Sequence, residues 1–161
     1  MKKQHLELEE RIHQLTLDMV GCRSVVGTTD EIAMSEKVYQ IFSKIDYWKE
    51  NPQLLYRLPF INDPLGRFSV VASLKGEKCS SDKTVVMIGH TDTVGISDYG
   101  DLKDLATQPD KLIEALKNVT ISNDAKKDLE SANWLFGRGI LDMKCGVAII
   151  IAIMEHISRE I

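Results

Sequence analysis

The sequence predicts an α/β fold, with helices on either side of a mixed sheet and three layers in all. Three observations carry that prediction. Apolar residues recur at helical spacing near both ends of the chain. Between them lie short segments rich in β-branched and aromatic residues. One of these, TVVMI at 84 to 88, is apolar without interruption, as a central strand buried on both faces should be.

The elements follow in order. Leu8, Ile12, Leu15 and Met19 lie at i, i+4, i+7 and i+11, one stripe of a helix over roughly residues 4 to 20. Met34, Val38, Ile41 and Ile45 repeat that spacing in a second helix. The joint, SVVGTTDE at 24 to 31, has a glycine for the turn and Thr29 or Asp30 as N-cap, with acids in the first turn. LLYRLPFI and RFSVVASL then read as strands, and the NDPLG between them has the turn chemistry of an antiparallel hairpin. A polar connector, KGEKCSSDK at 75 to 83, leads into TVVMIGHTD as the third strand. After it, PDKLIEALKN reads as helical within an otherwise polar stretch from 95 to 133. WLFG is a further short strand, with Trp134 and Phe136 in the core. From Lys144 onward the chain is a helix apolar nearly all round, which predicts burial on more than one side.

Composition narrows the function. With 161 residues and 43% hydrophobic content, the chain fits one globular unit with a real core. A net charge of -4 with the two signs interspersed leaves no basic stripe for a phosphate backbone, so nucleic acid is excluded as a partner. The longest apolar run, GVAIIIAIM, is far short of the roughly 18 residues that span a bilayer. The charged start MKKQHLELEE is no signal peptide, and Cys22, Cys79 and Cys145 have neither disulfide nor zinc-cluster spacing. Together these predict a cytoplasmic protein.

Chemistry concentrates where the third strand ends. In GHTDTV, His90 and Asp92 are two apart, so strand geometry sends both side chains from one face. That arrangement suits an imidazole on a metal whose other ring nitrogen donates to a carboxylate. Taken alone, His90 reads rather as a strand-end histidine satisfied by hydrogen bonds. A second segment, WLFGRGILDMKCGVA, repeats the layout: a short strand, a glycine turn, then Asp142 at the mouth of an apolar helix. Asp142 alone reads as a helix N-cap, since free N–H groups and the dipole favour a carboxylate there. A cap does not account for two such motifs at one sheet edge.

HTDTV together with GRGILDMKCGVA resembles the di-zinc metallopeptidases of family twenty, the aminoacylase, carboxypeptidase G and succinyl-diaminopimelate desuccinylase type. SVVGTTDE is similar to a stretch near the start of many members. HTDTVGISDYG and WLFGRG resemble, more narrowly, the RocB group associated with arginine utilisation. The resemblance implies the N-terminal portion of a three-layer αβα zinc-exopeptidase-like catalytic domain. It implies that His90 ligates one zinc, that Asp142 bridges two, that Asp92 orients His90 as the catalytic partner, and that the Asp142–Met143 peptide is cis. It also implies zinc, with cobalt or manganese as alternatives, and a small peptide or N-acyl amino acid as substrate.

The sequence departs from that pattern in one respect. The remaining ligands and the general-base glutamate follow the aspartate motif in the family, and here 19 residues follow Asp142. Glu155 and His156 lie on the last helix, away from a strand end, and read as a helix face rather than as ligands. Cys145 reads as a small buried hydrophobe, Arg138 as an exposed turn residue or a contact for a substrate carboxylate, and SDYGDLKD as a solvated loop or the rim of the site. The expectation is therefore a metal-poor chain, inactive by itself, with exposed strand edge and a tendency to self-associate. The rival expectation is a non-catalytic binding or regulatory module that keeps the fold without the metal centre.

Overall fold

A computed structural model describes residues 2–76 and 83–161, with side chains described from residue 6. Most of the polar connector at 75 to 83, including Cys79, lies outside the described residues. Helix α1 (Lys2–Val20) is followed by α2 (Asp30–Ser43) and the short α3 (Asp46–Glu50). Strands β1 (Leu55–Pro59) and β2 (Phe68–Ala72) come next. A 3-10 segment (Ser97–Leu105), α4 (Pro109–Leu116), α5 (Asn123–Ser131) and α6 (Cys145–Ser158) complete the order.

The core forms where the predicted stripes meet. Leu15 and Met19 of α1, Met34, Val38, Ile41 and Phe42 of α2, and Val147, Ala148, Ile151 and Ala152 of α6 are buried together, with Trp48 of α3 and Leu55 of β1. α6 lies against α1, and α2 covers the hairpin. The arrangement is mixed helix and strand, in keeping with the α/β expectation.

β1 and β2 pair antiparallel in the predicted hairpin, with Arg57 opposite Val70. The turn is held by one ion network. Arg67 donates its backbone N–H to Asp63 Oδ2 at 2.7 Å and its guanidinium to both Asp63 oxygens, while its Nη1 reaches Glu31 Oε1 at 3.0 Å. Those hydrogen bonds hold the Asp63 carboxyl well below the ordinary carboxylate value, at about 2. Because the folded value lies below the unfolded one, the contribution to stability is complete above about pH 4. It is lost as pH falls toward 2. The urea midpoint of the Asp63→Asn variant should therefore lie below that of the parent at neutral pH, and the two should converge by about pH 2. A gap that stays constant with pH would contradict this.

Three expectations need correction. TVVMI is not a central strand: among the described residues it joins no ladder, and Val85, Val86 and Ile88 are exposed, Ile88 to 82%. WLFG is likewise no strand, and Trp134 stands in solvent instead of the core. The sheet among the described residues therefore has two strands. The reason is physical: a strand is a pairing, and a β-branched apolar run without a neighbour has nothing to bond its backbone groups to. α6 is also covered mainly on one side, leaving Ile149 and Ile157 partly exposed. Among the described residues, no helix is long and apolar enough to cross a membrane.

Candidate active site

The site is assembled by the joint between α1 and α2. Ser24, fully buried, donates its hydroxyl to the Thr91 carbonyl at 2.7 Å and accepts the Thr93 N–H on its own carbonyl at 2.8 Å. Val26 N–H closes the clasp on the Thr93 carbonyl at 2.9 Å, so 24 to 26 run parallel to the HTDTV segment. The joint is itself braced: Glu31 accepts the Gly27 N–H at 2.6 Å, and Thr28 Oγ1 accepts the Asp30 N–H. Thr29 is the N-cap residue of α2, yet its side chain makes no cap bond and its backbone is helical. The capping role expected of Thr29 or Asp30 thus passes to Thr28 and Glu31.

The second wall is the turn Gly137–Arg138–Gly139. Gly139 has φ of +79°, and a Cβ there would lie 2.5 Å from Thr93 Cγ2, so only glycine fits against the HTDTV segment. The Lys144 N–H returns to the Gly139 carbonyl at 2.9 Å, closing one wide turn before α6. Inside that turn Asp142 (φ -120°, ψ 96°) departs from helical geometry, and the Asp142–Met143 peptide is cis, as the resemblance implies. Lys144, 1% exposed, runs inward and donates to the Cys22 carbonyl at 2.6 Å, tying the turn to the end of α1. Burial pulls its ammonium down to about 8.

These walls bring His90 and Asp142 together. His90 Nε2 lies 2.8 Å from Asp142 Oδ1, and His90 Nδ1 lies 3.3 Å from Asp92 Oδ1 and 3.2 Å from the Asp92 carbonyl. Both ring nitrogens thus face acceptors. Desolvation lowers the pKa of His90, but the bond to Asp142, the bond to the Asp92 carbonyl and the two carboxylate charges outweigh it, so the net shift is upward. Asp142 is no helix cap: Lys144 takes the N-cap position of α6, and the Asp142 carboxylate, 85% exposed, turns to the histidine. An open cleft of about 330 Å³ borders His90, Asp92, Arg138 and Asp142.

Other candidate residues meet the expectation in part. Glu155 is taken by Arg11 at 2.8 Å and Arg159 at 2.6 Å, in keeping with a structural helix face. Cys145 is half-buried rather than a fully packed core residue. Arg138 is not an exposed turn residue. Its side chain packs over the Tyr99 ring and pairs with Asp98, which the SDYGDLKD stretch carries on its 3-10 turn instead of a loose loop. Ser24 and Lys144 are absent from the predicted site, and Asp98 enters it only within SDYGDLKD, as part of a loop or rim. Ser24 had a signal within SVVG, a hydroxyl just before the turn; the others meet their partners at separations of 122 and 40 residues, which no local pattern reveals.

The class these features define is an α/β chain with an imidazole and a carboxylate converging on an open cleft, the imidazole backed by a second carboxylate. Two bacterial proteins are similar to it. The chain is 35% identical over 160 residues to Protein RocB of Bacillus subtilis (strain 168), a match over 99% of this chain and 28% of RocB. It is 31% identical over 152 residues to the uncharacterised protein YqjN of the same organism, over 93% of this chain and 27% of YqjN. The chain therefore spans little more than a quarter of the length of these relatives. No protein-family profile matches it, and no solved structure matches it.

Proposed function

We propose that the chain carries the His90 and Asp142 side of a metal-dependent amide hydrolase, RocB-like and of the di-zinc metallopeptidase type. On this reading its substrate is a small peptide or N-acyl amino acid in arginine or amino-acid catabolism, and it works in the cytoplasm. The observation that supports it is the 2.8 Å approach of His90 Nε2 to Asp142 Oδ1 with Asp92 behind the other ring nitrogen. A histidine ligand backed by a carboxylate is how proteins fix the tautomer and raise ligand basicity.

The donors suit zinc in kind, one imidazole nitrogen and carboxylate oxygens. In number they fall short, since no group of three or more His, Cys, Asp or Glu positioned for a metal occurs among the described residues. The other ligands and the general base then belong to the rest of a longer protein, as does the remainder of a three-layer sheet. His90 and Asp142 would hold the metal from this side, with Asp92 keeping the His90 ring in place, and zinc bound there would supply Lewis-acid chemistry for amide hydrolysis.

Cobalt titration followed by absorption, with chelation and amide-hydrolysis assays, tests the proposal on these 161 residues alone and within their full coding sequence. The short chain should bind cobalt weakly. The full protein should hydrolyse N-acyl amino acids and lose more metal affinity on His90→Ala or Asp142→Asn than the roughly 10–100-fold that loss of an outer-shell partner costs. Undiminished hydrolysis after complete chelation, or in Asp142→Asn, would overturn it. A full protein that binds no metal and hydrolyses nothing supports instead the non-catalytic binding module.

Self-association is part of the same reading. Val85, Val86 and Ile88 expose an apolar edge beside the site that is unpaired among the described residues, the kind of edge that pairs with another chain. Sedimentation of the 161-residue chain should depend on concentration, and Val86→Lys should shift it toward monomer. A concentration-independent monomer would rule the expectation out.

A further inference from the structure

Arg67 lies outside the cleft, yet its bonds lead toward it. Its guanidinium forks onto Asp63, with Nε to Oδ2 at 3.0 Å and Nη2 to Oδ1 at 2.9 Å. Nη1 is left for Glu31, and lies 3.0 Å and 3.3 Å from its two carboxylate oxygens. The network is sheltered, since the Asp63 side chain is 5% exposed and that of Glu31 14%. Removing the arginine therefore leaves two sheltered carboxylates without their shared cation, a costlier loss than that of a surface ion pair.

Glu31 is the point at which hairpin and joint meet. The oxygen that accepts from Arg67, Oε1, also accepts the Gly27 N–H at 2.6 Å, and Gly27 has φ of +77°, the left-handed turn of the joint. Just before that turn, Ser24 opens the clasp on Thr91 and Thr93. Among the described residues the HTDTV segment has no β pairing besides the Val25–Thr93 bridge. Where the joint sits therefore decides where His90 sits relative to Asp142. The same hairpin offers a matched contact that bypasses the joint: Arg57 forks onto Glu36 of α2 at 2.9 and 2.7 Å, and Glu36 also accepts from Gln40 of its own helix.

From this geometry we infer that Arg67 is a positioning residue for His90. By holding Glu31 it fixes the turn at Gly27, and through the Ser24 clasp it sets the approach of His90 to Asp142. The hairpin turn is thus part of the site's framework, on a path of 36 residues' separation that no motif marks. What His90 does for a metal rests on the amide-hydrolase reading, whereas its placement by Arg67 is a property of the chain itself.

The test compares Arg67→Met with Arg57→Met, each of which cuts one contact between the hairpin and α2, in the metal-free 161-residue chain and in the cobalt-loaded full protein. Both variants should lower the urea midpoint. Only Arg67→Met should displace the His90 Nε2 resonance from its hydrogen-bonded position at neutral pH. Only Arg67→Met should alter the visible cobalt spectrum and weaken cobalt binding, by roughly tenfold, the lower end of losing an outer-shell partner. Arg67→Lys keeps the charge but cannot fork onto Asp63 and reach Glu31 together, so it should displace the resonance partway, and it decides the matter where Arg67→Met does not fold. Glu31→Gln should displace it too, and adding Arg67→Lys to Glu31→Gln should change little further, because both cut one path. An unmoved His90 resonance in Arg67→Lys, an equal displacement in Arg57→Met, or full additivity of Glu31→Gln and Arg67→Lys would each overturn the inference. If the full protein takes up no cobalt, the amide-hydrolase reading falls, while the His90 displacement in the metal-free chain still decides the role of Arg67.

Discussion

Replacing Trp48 with alanine should destabilise the chain by about 3–5 kcal/mol, the range for removing a large aromatic from a packed core. Trp48 is 1% exposed and is the largest fully buried side chain among the described residues. Its ring meets Phe42 edge-on at 4.9 Å and Tyr47 at 5.2 Å, so α3 is fastened to α2 through one indole. A loss of that size is a large share of the roughly 5–15 kcal/mol that holds a domain folded. Urea unfolding followed by circular dichroism measures it. Trp48→Phe should cost much less, because a ring still faces Phe42 and the lost indole N–H has no hydrogen-bond partner among the described residues to leave behind. A Trp48→Ala cost below about 1 kcal/mol would show that this cluster does not organise the core.

Gly139→Ala should damage the site more than the fold. Its φ of +79° already strains any L-residue, by about 1–2 kcal/mol. The new Cβ would also sit 2.5 Å from Thr93 Cγ2, a contact that forces the glycine turn away from the HTDTV segment. His90 rides on one of those elements and Asp142 on the other, so their 2.8 Å approach should open. The readout is the His90 Nε2 resonance, which should lose its hydrogen-bonded shift in Gly139→Ala. Thr93→Ser removes Cγ2, so the double variant should recover the histidine signal in part and retain the backbone penalty. An unchanged His90 environment in the single variant would show that the two walls are not coupled through this contact.

Both predictions turn on where local pattern and long-range packing divide. The stripe Leu8, Ile12, Leu15, Met19 was legible because a 3.6-residue period states which face is buried whatever covers it, and Leu15 and Met19 are core residues. The hairpin was legible through NDPLG, though not the network of Arg67 with Asp63 and Glu31 that holds it, since Glu31 is 36 residues away. α5 escaped notice because NDAKKDLES offers only Ala125 and Leu129 as a narrow apolar stripe among polar residues; Ser122, whose hydroxyl accepts the Ala125 N–H at 3.2 Å, marks its start. TVVMI was misread for the opposite reason. Its composition is that of a buried strand, but composition cannot supply the neighbour that a ladder needs.

The candidate site divides in the same way. His90, Asp92 and Asp142 could be named from the sequence because metal-type chemistry uses few residue types, and both motifs end apolar segments beside glycines. Their partners could not be named. Lys144 meets Cys22 and Arg138 meets Asp98 only after the chain has folded back on itself. The sequence by itself determined which side chains bear chemistry and which helix faces are apolar, since both are properties of residue type and local period. The tertiary structure alone decided that Asp142 turns to a histidine instead of capping a helix, that Arg138 is packed against Tyr99 instead of waving in solvent, and that TVVMI is left unpaired among the described residues. Each of those outcomes depends on which groups lie within about 3 to 5 Å in space, a distance that spacing along the chain does not encode.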